Sequence, residues 1–214
     1  MPLDLLDDVL LLDFTFEAPQ CTLQGFPVLD MDFSQSKFTC LSKLQNSSIV
    51  NGMTLVPIGV VRSPVKSAVD DVWGGVVSTI ELDAGVLGSD AASGLDQFSH
   101  IDIIFHFHLV SASDVETGAR HPRNRADWPL AGILAQRAKR RINRLGLSTC
   151  RLVRVDGLRL TVLDLDAIDG TPVIDVKPYM AEFGPKGVVR QPAWSRELMA
   201  AYFGAFDAPG ASNS

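Results

Sequence analysis

The sequence is poor in cysteine and in long apolar runs. Its 214 residues include three cysteines, Cys21, Cys40 and Cys150, too few and too scattered for a disulfide framework or a four-ligand zinc site. No stretch approaches the roughly 18 consecutive apolar residues of a membrane-spanning helix. The acidic start lacks the basic region and small-residue cleavage site of a secretory signal. These absences predict a cytoplasmic protein with reduced thiols and no membrane partner.

The sequence also lacks the common nucleotide-binding and nucleophile motifs. It contains no Walker sequence, and Trp73-Gly74-Gly75 lacks the strand–loop–helix context of a dinucleotide fold. Ser63 and Ser99 do not lie in a nucleophile elbow. Cys150 falls within a predicted strand, where a free cysteine is expected to be part of the core. These observations exclude the P-loop and Rossmann classes of site and the hydrolase-type serine nucleophile.

The negative charge is concentrated in the first part of the chain. Residues 1–52 carry seven acidic and two basic side chains, which is most of the net charge of −6. Residues 120–144 carry one acidic residue, Asp127, and a group of basic residues: Arg120, Arg123, Arg125, Arg137, Lys139, Arg140, Arg141 and Arg144. Such a patch on a near-neutral domain attracts a polyanion locally, although the same pattern is typical of a solvated basic face.

Three regions differ in character. Residues 1–52 show no sustained period of 2 or 3.6 and are predicted to form an acidic N-terminal extension that is poorly ordered or loosely docked. Residues 53–206 are predicted to form the folded domain. Residues 207–214 are predicted to be a flexible tail.

Short alternating segments dominate the predicted domain. Alternation of apolar and polar residues is typical of half-buried strands, and Asp156-Gly157 between two such segments predicts a hairpin. The strands are predicted at residues 76–82, 98–109, 147–155 and 158–165. Residues 192–203 alone have the apolar spacing of a helix, which ends at Gly204. The sequence therefore predicts a mainly β fold, a compact barrel with a C-terminal helix.

Three histidines and an aspartate share one face of the strand predicted at 98–109. The face consists of His100, Asp102, His106 and His108. His-x-His is a common metal-ligand spacing, but a complete site would need further ligands, and the one remaining histidine, His121, falls in a loop. A polar face that is hydrogen-bonded to its neighbours is the favoured interpretation, and no metal site is predicted.

Two segments carry the clearest functional signal, a basic loop at residues 134–148 and an Asp-Gly turn that begins the segment 169–179. Arginines repel one another unless an anion or solvent separates them, so a plain turn does not need such a block. Four motifs occur in order: PIGVVRSP (57–64), FSHIDIIFHFH (98–108), AQRAKRRINRLGLS (135–148) and DAIDGTPVIDVKPY (166–179). On these motifs the chain resembles the TsaA/TrmO-like methyltransferases, which include the tRNA N6-threonylcarbamoyladenosine N6-methyltransferases. The resemblance covers about residues 55–203, and the tail RQPAWSRELMAAYF (190–203) resembles one bacterial branch.

The resemblance implies a compact β-barrel that binds S-adenosylmethionine without a Rossmann fold. It also implies a homodimer in which each cofactor pocket lies near the subunit interface. The implied cofactor-binding residues are His100, Arg137, Arg141, Asn143, Leu145, Gly146, Ser148, Asp169, Gly170 and Thr171. The residues expected to bind a tRNA anticodon stem-loop are Arg120, Arg123, Arg140, Arg144, Lys177 and Tyr179.

The catalytic group is left open by the sequence. Methyl transfer requires the acceptor nitrogen about 3 Å from the methyl carbon and in line with the leaving sulfur. A carboxylate or phenolate would assist loss of the acceptor's proton, and Asp169, Asp175 and Tyr179 are the candidates. Two alternatives also stay open, namely a small-molecule amine as acceptor, and a non-catalytic barrel that binds S-adenosylmethionine or a metal.

One residue departs from the family pattern. Ile142 stands between Arg141 and Asn143, where the family usually has proline. Because proline fixes φ and stiffens a loop, the substitution predicts a looser basic loop.

Overall fold

The structure, a computed structural model, describes residues 48–50 and 53–206. In this part of the chain, ten strands and one α-helix, Ala193–Met199, are connected by loops and short 3-10 turns. The strands are β1 Ser48–Val50, β2 Met53–Leu55, β3 Gly59–Arg62, β4 Val77–Leu82, β5 His100–His106, β6 Ala119–Arg120, β7 Ala131–Gly132, β8 Leu145–Asp156, β9 Arg159–Leu163 and β10 Pro172–Pro178.

Six of the strands close into an antiparallel barrel. Their order is β10-β3-β4-β9-β8-β5, and β5 pairs with β10 to complete the barrel. The β1–β2 and β6–β7 pairs form separate two-stranded sheets. The predicted mainly β barrel with a C-terminal helix is therefore confirmed.

Alternate residues of the barrel strands fill the interior. On β5, Ile101, Ile103 and Phe105 are at most 1% exposed, as the alternation of the sequence predicts. The strand ends at His106, before the predicted end at residue 109. The chain turns there, because the Val110 N–H donates to the Phe107 carbonyl at 3.1 Å.

The predicted hairpin is confirmed, with β8 and β9 paired through Asp156 and Arg159. Gly157 has φ of 56° in the turn, a conformation that glycine adopts without strain. Residues 145–151 of β8 pair with β5, whereas the register with β9 begins at Arg151. Among the described residues, positions 145–150 therefore have a strand partner on one side only.

The C-terminal segment, residues 193–206, is fastened to the loop around Trp73. The Trp73 N–H donates to the Tyr202 carbonyl at 2.8 Å, and the Gly74 N–H donates to the Gly204 carbonyl at 2.9 Å. The helix ends at Met199, before the predicted residue 203, and the chain continues in a tighter turn in which the Tyr202 N–H donates to the Met199 carbonyl at 3.2 Å. The Tyr202 hydroxyl adds a 2.5 Å hydrogen bond to Asp166 Oδ2.

The predicted domain boundaries fall mostly outside the described residues. β1 pairs with β2 across the predicted boundary at residue 52. The rest of the N-terminal extension and the predicted tail at 207–214 are not among the described residues, so both stay predictions. No helix in the described part of the chain has the length and apolar character needed to cross a membrane.

Candidate functional site

The basic loop and the Asp169 turn meet at one end of β5. β8 follows the basic loop and pairs Leu145 with His106. β10 follows the turn and pairs Val173 with Phe105 on the other side of β5. We call this end of the barrel, defined by His106, Leu145 and Pro172, the loop end. Barrel closure thus brings two segments that are distant in sequence to opposite sides of one strand terminus.

Hydrogen bonds to the segment after β3 hold the Asp169 turn. Asp169 Oδ1 accepts from the Ser63 N–H at 3.0 Å, and Oδ2 lies 2.9 Å from Lys66 Nζ. The hydrogen bond to Lys66, followed by that from Ser63, lowers the pKa of the Asp169 carboxyl. Gly170 has φ of 77°, and the Thr171 side chain is buried. The carboxylate that the sequence proposed for binding or catalysis is therefore ionised and already paired.

Arginines of the basic loop bind its own backbone. Arg141 Nη1 donates to the carbonyls of Ile133 at 3.1 Å and Gln136 at 2.8 Å. Arg137 donates to the Leu147 carbonyl on the edge of β8 that lacks a strand partner. Arg137 and Arg141 can therefore bind a cofactor only through the guanidinium N–H groups that these backbone bonds leave free.

The loop turns tightly around Ile142. The Arg144 N–H donates to the Arg141 carbonyl at 2.9 Å, and Ile142 is 62% exposed. Asn143 is also exposed. Arg144 has φ of 50° and donates from Nη1 to the Val110 carbonyl at 2.7 Å. The turn therefore forms with isoleucine in place of the family's proline.

The start of β8 contributes interior as well as exterior positions. A Cβ added to Gly146 would lie 2.3 Å from Phe105 Cζ, so glycine allows the two strands to pack closely here. Ser148 is also buried, whereas Leu145 is partly exposed. Gly146 and Ser148 thus support the loop end from inside the barrel.

Most cations predicted to bind phosphate are paired within the chain. Arg123 places both terminal nitrogens 2.7 Å from the Asp71 carboxylate. Arg120 and Arg140 share Glu116, at 3.3 and 3.8 Å. Internal pairing therefore neutralises part of the basic patch.

Three predicted site residues lie toward the opposite end of β5 and β10, namely His100, Lys177 and Tyr179. The Tyr179 N–H donates to the His100 carbonyl at 3.0 Å, and Lys177 Nζ lies 2.6 Å from Asp175 Oδ2. The hydrogen bond to Asp175 raises the pKa of Lys177. A seven-residue strand such as β5 spans about 20 Å, so one chain does not bring His100 and Tyr179 to the loop end.

Two histidines outside the predicted site set occupy the loop end. His106 Nε2 is buried and has no hydrogen-bond partner among the described residues. His108 Nε2 lies 4.0 Å from the position of a Cβ on Gly170. Burial lowers the pKa of both imidazoles below 6.5, and the charge of Arg144 adds to the effect on His106. The available sequence signal was a His-x-His pair at the end of a strand.

The described residues contain no group of three or more histidine, cysteine, aspartate or glutamate side chains arranged to hold a metal ion. The imidazoles of the loop end offer hydrogen-bonding and proton-transfer chemistry.

Comparison with known proteins agrees with the predicted family. The family profile for the tRNA-methyltransferase O N-terminal domain matches residues 64–184. A probable S-adenosyl-L-methionine-binding protein of Methanothermobacter thermautotrophicus is 36% identical over 133 residues, covering 61% of this chain and 93% of the relative. The tRNA (adenine(37)-N6)-methyltransferase of Escherichia coli is 38% identical over 132 residues, 58% of this chain and 56% of the relative.

The barrel also resembles a solved structure. The crystal structure of TrmO from Pseudomonas aeruginosa superposes with a TM-score of 0.54 at 28% identity, covering 66% of this chain and 61% of the TrmO chain. The present chain thus spans less than two thirds of TrmO and of the Escherichia coli enzyme, but most of the archaeal relative. The family match covers more than half of the chain and includes both segments of the loop end, so this protein belongs to the family defined by the tRNA-methyltransferase O N-terminal domain.

Proposed function

We propose that the protein is an S-adenosylmethionine-dependent N-methyltransferase that acts on N6 of adenine 37 in tRNA, with N6-threonylcarbamoyladenosine as the modified nucleoside. The observation that carries the proposal is the convergence of the two motif segments on one strand terminus in a chain of this family. Relatives named as tRNA (adenine(37)-N6)-methyltransferases support the reaction and the substrate.

The loop end has the groups that S-adenosylmethionine requires. The edge of β8 at residues 145–150, which has no strand partner in the described part of the chain, offers backbone donors and acceptors to the edge of a purine. Arg137 lies at this edge, and its remaining N–H groups suit a carboxylate. When bound, S-adenosylmethionine supplies an electrophilic methyl group. The residues that would hold it are Arg137, Arg141, Asn143, Leu145, Gly146, Ser148, Asp169, Gly170 and Thr171.

The residues at the loop end position reactants rather than form covalent bonds to them. Arg141 fixes the shape of the basic loop through two carbonyls, and Lys66 and Ser63 fix Asp169. Holding the acceptor nitrogen near the methyl carbon contributes most of the rate in such a transfer. Arg140 and Arg144 adjoin this site, and phosphate binding by Arg140 would compete with Glu116. tRNA affinity should therefore fall with rising salt.

Two measurements test the function in turn. Calorimetry with S-adenosylmethionine is expected to show binding. The absence of binding heat at high micromolar ligand would refute the proposal that the protein is an S-adenosylmethionine-dependent methyltransferase. The protein is then incubated with tRNA from a strain that lacks the methylation, and the digested nucleosides are weighed by mass spectrometry. A gain of one methyl group on N6-threonylcarbamoyladenosine is expected. Cofactor binding without this product would indicate a small-molecule amine as acceptor. The similarity to tRNA methyltransferases does not favour that alternative.

We also infer a cytoplasmic homodimer. The family resemblance implies the dimer, and exposed apolar side chains after β10 support it, because Phe183 is 85% and Val188 is 90% exposed. A tRNA substrate supports the cytoplasmic location. Sedimentation equilibrium should give twice the chain mass of 23.2 kDa, and a monomer at all concentrations would refute the dimer.

A further inference from the structure

The acceptor must lose a proton, and the two carboxylates proposed as the base, Asp169 and Asp175, already bind other groups of the chain. Asp169 binds Lys66 and the Ser63 N–H. Asp175 binds Lys177 at 2.6 Å and the Val176 N–H at 2.9 Å. The hydrogen bonds from Lys66 and Ser63 lower the pKa of Asp169, which makes it a weaker base, and both partners of Asp175 occupy its carboxylate.

Tyr179, the third candidate, lies at the wrong end of the strand. Its backbone bonds to His100 at the start of β5, about 20 Å from the loop end along the strand. Within one chain, His106 and His108 are therefore the remaining candidate bases among the described residues of the loop end.

His108 lies between the two motif segments. Its Nε2 faces Gly170, next to Asp169 and Thr171. On the other side, the Phe107 N–H donates to the Arg144 carbonyl at 2.8 Å, which ties this part of the chain to the basic loop. His108 thus lies close to Gly170, and its neighbour Phe107 is bonded to Arg144 of the basic loop.

We propose that His108 is the catalytic base that removes the N6 proton of the acceptor adenine. This inference rests on the proposed function. The N6–H bond breaks and its proton moves to the lone pair of His108 Nε2. The N6 electron pair forms the bond to the methyl carbon, while the bond between that carbon and the sulfonium sulfur breaks. The sulfur keeps the electron pair, so the products are N6-methylated adenine, a neutral thioether and a protonated imidazole.

The surroundings of His108 favour the neutral imidazole that a base requires. Burial lowers its pKa below 6.5, whereas a hydrogen bond to the backbone of His106 opposes this change. The charged or titratable groups on the adjoining segments are Arg144, whose charge acts on the neighbouring His106, and Asp169 with Lys66. Because a base acts only when unprotonated, kcat/KM should rise with pH through the lowered pKa of the free protein and then stay level.

The experiment measures tRNA methylation from pH 5 to 9 for the full chain and for His108→Asn, His108→Gln, His106→Asn and His121→Asn. The two His108 variants are expected to lower kcat by about 100-fold or more. They should also lose the acidic limb of the profile while the KM for S-adenosylmethionine stays unchanged. His121→Asn is the matched control, since it changes the same residue type in a loop, where Nδ1 lies 2.6 Å from the Trp128 carbonyl. Calorimetry with S-adenosylmethionine checks that each variant is folded.

The outcomes separate this inference from the proposed function. Methylation by the wild-type protein tests the proposed function, whereas the His108 and His106 variants test whether His108 is the base. His108 variants that bind cofactor and keep the acidic limb overturn the base and leave the proposed function standing. Loss of the limb in His106→Asn but not in the His108 variants also overturns it, because the proton would then go to the neighbouring imidazole.

Discussion

The two ends of strand β5 carry similar residue types but differ in what surrounds them. At the loop end, His106 and His108 lie between two long segments and are partly withdrawn from water. At the opposite end, His100 is exposed and its Nδ1 lies 2.9 Å from the hydroxyl of the adjacent Ser99. A histidine therefore acquires a distinct chemical environment here from barrel closure, not from its local sequence.

The largest difference between the ends is expected on replacing Arg141 with alanine. This removes the two hydrogen bonds that shape the basic loop together with any contact to a carboxylate. Hydrogen bonds to charged groups contribute about 1.5–3 kcal/mol, so we expect the Kd for S-adenosylmethionine to rise by on the order of 100-fold. Calorimetry measures this change. Arg151→Ala, which alters an exposed arginine paired with His100 at the other end, should leave the Kd unchanged. Wild-type affinity in Arg141→Ala would remove this residue from the cofactor site.

The second prediction concerns packing beneath the loop end. In Gly146→Ala, the new Cβ would lie 2.3 to 2.9 Å from three carbons of the Phe105 ring. Overpacking of this kind costs about 1–3 kcal/mol, and urea unfolding should show the loss. The matched control is Gly118→Ala, where nothing lies within 4 Å of the added carbon. Equal stability of the two variants would contradict the tight packing of β5 on β8.

A smaller effect is expected on removing one loop-end cation. Arg140→Ala should weaken tRNA binding across sequences and reduce the slope of log K against log salt by about 1. Filter binding at several salt concentrations measures this slope. Arg154→Ala removes an exposed arginine near the β8–β9 turn that pairs with Asp156, and its slope should match the wild type. If only Arg154→Ala changes the slope of log K against log salt, the RNA binds at the opposite end of the barrel.

The smallest effect is expected inside the barrel. Burial raises the pKa of Cys150 to about 12, and the thiolate is the nucleophile. Below this pKa the thiol stays protonated, so iodoacetamide at pH 8 should leave Cys150 unmodified in the native protein and label it in urea. Peptide mass spectrometry locates the label. Rapid labelling without denaturant would show that the barrel opens at this position.

The sequence predicted the parts of the fold that depend on neighbours along the chain. The alternation of Ile101, Ile103 and Phe105 and the Asp156-Gly157 turn are local signals, and both were confirmed. The family motifs also identified both segments of the site. The partners of the arginines could not be predicted, because Asp71 binds Arg123 across 52 positions of the chain. The distance between His100 and the loop end likewise follows from strand direction within the closed barrel.

The C-terminal segment shows that the family domain and the folding unit have different limits. The family match ends at residue 184, yet Tyr202 and Phe206 pack against the small core of Trp73 and Val76. The Trp128 indole donates to Glu197 at 2.8 Å, and a side chain on Gly74 would collide with the Phe203 carbonyl. A chain cut after residue 184 would uncover two tryptophans, so the segment needed for a stable fold extends past the residues that the family profile matches.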